Sequence, residues 1–271
     1  MSESTQPPTD SSDHAPNAAR IYDRMLGGFC NFEADRIAAQ RIIEAMPDMP
    51  LFMRANRAFL RRVVKFLADQ GIDQFLDLGS GIPTVGNVHE IAQKVNPSAR
   101  IVYVDNEPVA VNHSQAILKD NPKATVIQAD IRQPEVILGH PEVRRLLDLN
   151  KPKAVLLLSV LLFVPDDDEA YRLVRAIRDA MAPGSYIAIS HPTGDKTPPE
   201  QAKQALKLYA SIGTPVNVRS YDQVGRFFEG LELVEPGVVH IPLWRPETEN
   251  DLFLEEPHRS AYYAGVGRKQ A

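Results

Sequence analysis

The sequence predicts an α/β fold: a doubly wound, mostly parallel seven-stranded sheet with an antiparallel edge strand, preceded by an N-terminal helical cap. Two observations predict it. Beyond Gly71, short apolar runs alternate with amphipathic stretches, which is how parallel strands joined by helical crossovers read in sequence. Before Gly71, apolar residues recur at the spacing of a helical turn. The chain has 271 residues, 44% of them hydrophobic, enough to bury one large core with a small appended lobe.

Each element follows in order. Residues 1–16 are rich in Ser, Thr, Pro and Asp and read as a disordered tail, with no apolar run suited to a signal peptide. Residues 17–70 make the cap. Ile37, Ile42, Ile43 and Met46 share one helical face, and Phe52, Phe59, Leu60, Val63, Val64 and Leu67 share another. Pro47 and Pro50 separate the two helices, because proline lacks an amide donor and restricts its predecessor. Residues 71–271 form the sheet domain. Strands are expected at 74–78, 100–104, 125–129, 154–159 and 186–190, with helices at 85–95, 108–118, 141–147 and 167–181 between them. Long connections between successive strands favour parallel pairing. Helices at 198–211 and 221–228 follow, and segments 231–239 and 262–267 are expected to pair antiparallel at the sheet edge.

Bulk properties narrow the function classes. A net charge of -5 and a pI near 5.8 provide no field that would draw in a polyanion, which argues against nucleic acid as a partner. Cys30 is the single cysteine, so no internal disulfide forms, and nothing beside it has zinc-site spacing. A reducing cytoplasm is the expected location, and no metal is expected. The longest apolar run, residues 154–164, is about half the roughly 20 residues that cross a bilayer. The acidic run Asp166-Asp167-Asp168-Glu169 reads as a helix N-terminus, where carboxylates favour the helix dipole.

The chemistry concentrates at the strand ends. The first strand runs into Asp77-Leu78-Gly79-Ser80-Gly81-Ile82-Pro83, where glycines let the backbone turn sharply and approach a ligand. Alone this is equally an ordinary strand-to-helix turn. The second strand ends in Asp105, 24 residues beyond Gly81, where an acid is placed to accept hydrogen bonds from both ribose hydroxyls of an adenosine cofactor. Its alternative is a helix N-cap. Asp130 ends the third strand, so three acids face the crevice in which open sheets of this kind bind ligands. A dinucleotide-binding loop wants a third glycine where this chain has Thr84, and Asp77 would repel a pyrophosphate but suits a cationic methionyl ammonium.

Four stretches carry a family resemblance: Asn17-Ala18-Ala19-Arg20-Ile21-Tyr22-Asp23-Arg24-Met25-Leu26-Gly27-Gly28; Asn31-Phe32 with Ala34-Asp35-Arg36; Arg54-Ala55-Asn56-Arg57-Ala58-Phe59-Leu60; and Phe75-Leu76-Asp77-Leu78-Gly79-Ser80-Gly81-Ile82-Pro83. On these the chain resembles the class I S-adenosylmethionine-dependent methyltransferases, and more narrowly the actinomycete S-adenosyl methyltransferase family, formerly a domain of unknown function. The resemblance runs from Asn17 to Lys269. It departs from methyltransferase loops in general at Pro83, where many carry a third glycine. It implies a Rossmann-like methyltransferase fold and S-adenosyl-L-methionine as cofactor. It further implies that Asp77, Gly79, Ser80 and Gly81 line the methionyl end, Asp105 and Asn106 hold the ribose, Asp130 and Ile131 border the adenine, and Ser159 flanks the transferred methyl.

Further residues are candidates. Tyr22, Arg54 and Arg57 lie in the helical cap and are placed to fold over the cofactor, an arginine pairing with its carboxylate; ion pairs within the cap are the alternative. His191 follows the fifth strand and is the candidate general base, against the alternative of a loop hydrogen bond. Trp244, Tyr262 and Tyr263 either wall an acceptor pocket or pack the last hairpin, and packing is the favoured reading. The expected activity is direct methyl transfer to a small-molecule acceptor. A non-catalytic S-adenosylmethionine-binding regulatory protein and a nicotinamide-dependent oxidoreductase are the alternatives, and a homo-oligomer is left open.

Overall fold

A computed structural model describes residues 15–83, 86–249 and 251–270. The expected tail therefore lies outside the described residues except for Ala15 and Pro16, as do Thr84 and Val85. Three helices open the chain: α1 (Ala18–Met25), α2 (Glu33–Ala45) and α3 (Met49–Asp69). Pro47 falls in the connector and Pro50 in the first turn of α3, where its missing amide costs no hydrogen bond. The parallel strands are β1 (Gln74–Leu78), β2 (Arg100–Asp105), β3 (Ala124–Gln128), β4 (Ala154–Leu158) and β5 (Tyr186–Pro192). Between them run α4 (Val88–Val95), α5 (Pro108–Leu118), α6 (Pro134–Gly139), α7 (Pro141–Leu146) and α8 (Asp167–Ala180). Then come α9 (Pro199–Ser211), α10 (Tyr221–Arg226), and the strands β6 (Glu232–Leu233), β7 (Val239–His240) and β8 (Tyr262–Arg268).

The sheet order is β3-β2-β1-β4-β5-β8-β6, with β7 also pairing β8, and β8 runs antiparallel to β5. The architecture is the one expected. Locally, the stretch 231–239 is two short strands rather than one, because Pro236 interrupts it and cannot donate to a ladder. The six-residue α6 was not anticipated; it is too short to show helical periodicity. α4 starts at Val88 because Glu90 accepts the Asn87 amide in a capping box.

Strand alternation divides the apolar residues into two cores. Phe75, Ile101 and Tyr103 face one side, together with Ile42, Phe59, Val63 and Leu67 of the cap and Ala92 and Val111. Leu76, Val102 and Val104 face the other, with Val143, Val174 and Ile177. The cap and the sheet thus share one core. Trp244 belongs to it: fully buried, it meets Phe59 and Phe66 edge-on at ring centroid distances of 5.3 and 5.6 Å. Among the described residues, no helix is long and apolar enough to cross a membrane, and no group of three or more His, Cys, Asp or Glu side chains is arranged to hold a metal ion.

Candidate active site

The chain builds β1, β2 and β3 outward in one direction and then places β4 on the opposite flank of β1, so the crevice at the strands' carboxyl ends opens between β1 and β4. A cavity of about 580 Å³ fills it. That is within the usual range for small-molecule sites, roughly 300–1,000 Å³. Its floor is the strand ends, and α1, α3 and the end of α9 supply the roof.

The glycine loop is held by backbone. Gly79 and Ser80 both donate to the Val104 carbonyl, at 2.8 and 3.1 Å. Gly79 has φ +73°, and a Cβ there would fall 2.1 Å from Val160 Cγ2. Gly79→Ala should accordingly lose about 2–4 kcal/mol, combining left-handed strain and overlap. Urea unfolding would measure it, and adding Val160→Ala should recover the steric part only. The Gly81 amide donates to Asp105 Oδ2 at 2.7 Å, and the Glu107 amide to Oδ1 at 2.9 Å. Glycine loop and second-strand acid are thereby locked together.

The three acids differ. Burial pushes Asp77 up to about 7, helped by the neighbouring Asp105 charge and opposed by Arg57. Burial also raises Asp105, against the backbone amides that favour its carboxylate. Asp130 is lowered, because Arg132 grips it through Nε at 2.9 Å and Nη2 at 2.5 Å. Asp130 and buried Ile131 line the far end of the cavity, and exposed Asn106 borders it. Ser80 also lines the cavity; its Oγ is buried with no hydrogen-bond partner among the described residues.

From the cap, Tyr22 and Arg57 both reach the cavity, whereas Arg54 is exposed and does not line it. Tyr22 Oη accepts from Asn56 Nδ2 at 3.1 Å, and Asn56 Oδ1 accepts from Ser190 Oγ at 2.6 Å. Arg57 donates to the Gly86 carbonyl at 3.1 Å and lowers the Asp77 pKa through space. Ser159 has φ +54°, a left-handed conformation rare outside glycine, and its Oγ meets Tyr262 Oη at 2.8 Å. Tyr262 therefore belongs to the cavity wall, contrary to the packing expectation, while Trp244 packs against α3 as described.

His191 is not brought to the cavity. It is fully buried, and its ring lies between the Pro192 carbonyl, 2.8 Å from Nδ1, and Arg219 Nη1, 2.8 Å from Nε2. Arginine can only donate, so Nε2 accepts and Nδ1 carries the proton. Desolvation, aided by Arg219, pushes its pKa down to about 3. With its lone pair engaged it is not a base for an acceptor, which corrects the expectation. Arg219 itself also donates to the carbonyls of Leu161 and Val164 and to Asp167, holding the turn after β4 that forms one wall of the cavity.

Sequence reading also missed how the N-terminal motif is anchored. Buried Arg20 bridges Asp35 at 2.8 Å and Glu107 at 2.7 Å, and Asn17 Nδ2 adds a bond to Glu107 at 2.6 Å. Asp23 accepts from the Cys30 amide and Asn31 Nδ2, and a Cβ on Gly28 would sit 1.9 Å from Asp23 Oδ1, so only glycine fits there. The signal was present as paired charges in the motif, but Glu107 gave no sign of being their partner.

The chain has the fold of the Rossmann-like methyltransferases dependent on S-adenosylmethionine. Its lineage is narrower: residues 3–270 match the model of the S-adenosyl methyltransferase family, and the chain belongs to that family. A crystal structure from Thermobifida fusca, described as a candidate methyltransferase, is 43% identical, with 95% of this chain and 96% of that one covered and a TM-score of 0.89. A DUF574 family protein from Streptomyces avermitilis is 38% identical over 95% of this chain and 99% of its own, with a TM-score of 0.90. The N-methyltransferase NodS from Bradyrhizobium japonicum, solved with S-adenosyl-L-homocysteine, shares the fold at 12% identity and a TM-score of 0.52, over 93% of this chain and 100% of its own. None of the curated proteins compared with the chain matches it.

Proposed function

We propose that the protein transfers a methyl group from S-adenosylmethionine to a small molecule held beneath the helical cap. One observation carries this reading: the cavity runs unbroken from the acid-bearing ends of β1 to β3 to the turn after β4, Tyr262 and the end of α9. A roofed space of this size suits a cofactor and a compact acceptor better than a polymer.

The residues fit the cofactor. Each Asp105 oxygen accepts one backbone amide, and a carboxylate oxygen accepts two hydrogen bonds, so both retain capacity for a ribose hydroxyl. No described residue comes within 4 Å of a Cβ position on Gly81, leaving room for a ligand against the backbone. Asn106 would assist at the ribose, and Asp130 and Ile131 would border the adenine. Asp77 would pair with the methionyl ammonium, Arg57 with the carboxylate, and Tyr22 would close over them. Ser159, fixed by Tyr262, would flank the reacting methyl. When bound, the cofactor supplies an electrophilic methyl on a sulfonium, and the protein's contribution is orientation and exclusion of water.

Turnover of methyl-labelled cofactor against a metabolite extract tests the proposal. Label appearing in a small-molecule fraction is expected; label confined to protein or nucleic acid would overturn it. The non-catalytic alternative expects no turnover at all, and the nicotinamide alternative has no support from the family.

Asp77 adds a pH signature. Its folded pKa of about 7 lies above the ordinary carboxylate value near 4, so between those pH values the unfolded chain gives up this proton first. Its contribution to apoprotein stability is therefore present below about pH 4 and lost as pH rises to about 7. Ligand binding should move oppositely: S-adenosylhomocysteine affinity should rise approaching tenfold per pH unit below about 7 and level off above it. Calorimetry across pH 5.5–8.5 should lose that slope in Asp77→Asn.

A further inference from the structure

The two ends of the cavity differ in charge. Six of the described lining residues are formally charged: Arg57, Asp77, Asp105, Glu107, Asp130 and Arg132. Five come from the ends of β1, β2 and β3 and the loops that follow them, and Arg57 reaches from α3 towards Asp77. At the other end, the turn after β4 contributes Leu162 and Phe163, and the segment after α9 contributes Ile212 and Pro215. The polar side chains there are uncharged: Ser159 paired with Tyr262, Tyr209 and Thr214, with Tyr22 and the Asn56 amide beside them. None of these carries a charge. Burial pushes Tyr209 up to about 12 and raises Tyr262 further, so both stay neutral and act as hydrogen-bonding groups rather than bases. His191, the nearest imidazole in sequence, points away to Arg219.

We propose, resting on the methyltransferase reading above, that the acceptor is an uncharged, largely apolar amine of low basicity, such as an arylamine, methylated on nitrogen at the β4 end of the cavity. A carboxylate or ammonium there would be stripped of water with no counter-charge from the described residues of the wall, a penalty of several kcal/mol per ion. A hydroxyl acceptor must lose its proton as it attacks, and among the described lining residues none at this end takes one. Asp77, the one nearby acid that titrates close to neutrality, lies at the β1 end and is committed to the cofactor. A neutral amine needs no such base. Its nitrogen lone pair forms the new N–C bond as the methyl C–S bond breaks, the C–S pair stays on sulfur to leave neutral S-adenosylhomocysteine, and the positive charge passes to nitrogen. An N–H proton then leaves to water.

Three probes of matched size separate the possibilities: 4-propylaniline, 4-propylphenol and 4-propylbenzoate. Each is titrated into the protein saturated with S-adenosylhomocysteine, and each is then incubated with methyl-labelled S-adenosylmethionine. The aniline should bind at least about tenfold more tightly than the benzoate, reflecting the uncompensated charge, and should be the preferred recipient of label. Benzoate binding as tight as aniline, preferential labelling of the phenol, or no binding by any of the three overturns the inference. Failure of S-adenosylhomocysteine to bind in the first step would instead remove the methyltransferase reading itself, so the two failures are distinguishable.

Discussion

Replacing Asp105 with alanine should weaken S-adenosylhomocysteine binding on the order of 100-fold or more, since each hydrogen bond to a charged group contributes about 1.5–3 kcal/mol. Two effects combine. On the proposed site a bound ribose would lose its acceptors, and the Gly81 amide loses the partner at 2.7 Å that fixes the loop. Asp105→Asn separates them: its one carbonyl oxygen keeps part of the acceptor capacity without the charge, so its loss should be intermediate. Calorimetry measures both, with thermal unfolding as a check that the sheet is intact. An alanine variant that binds within threefold of the parent would remove Asp105 from the cofactor site.

The second large effect is on stability. Arg20→Ala should cost about 3–5 kcal/mol, because it takes the guanidinium partner from the carboxylate of fully buried Asp35, leaving it only backbone amides, and leaves Glu107 with Asn17 alone. For a chain of this size, that lowers the Tm by about 10 °C. Ligand affinity should fall too, since Glu107 donates its amide to Asp105 and Asn17 shares Glu107 with Arg20. Arg20→Lys keeps the charge but cannot reproduce the guanidinium fork to two carboxylates, so it should fall between. An Arg20→Ala protein with an unchanged Tm would show that the ion-pair cluster contributes nothing net.

The contrast between Asp105 and His191 shows what was legible in the sequence. Both sit at strand ends, and the sequence located both ends. Asp105 is reached through its spacing from Gly81, and in the structure it shares the parity of Ile101 and Tyr103 on β2, which carries it to the cap side. The same parity on β5 sends Ser190 to Asn56 on the cap side and His191 to the opposite face, among Arg219 and Phe227. Proximity to a strand end was read; alternation across the strand was not applied. The Arg20–Glu107 pair was illegible for another reason. Its partners lie 87 residues apart, and neither stretch has a pattern that points to the other. Glycine turns, caps and proline breaks could be read because their physics is local, whereas Tyr262 joined the site through a 103-residue separation from Ser159.

The burial of Trp244 against α3 bears on the order in which the molecule is completed. Arg62 donates to the carbonyls of Trp244 and Ile241 at 2.9 and 2.8 Å, across 182 and 179 residues of chain. As the ribosome emits the polypeptide, α3 emerges early, yet the ring that meets Phe59 and Phe66 edge-on arrives only after most of the remaining sequence has followed. The flank of α3 that Trp244 covers is thus completed late, by a segment near the end of the chain, although the helix itself is made early.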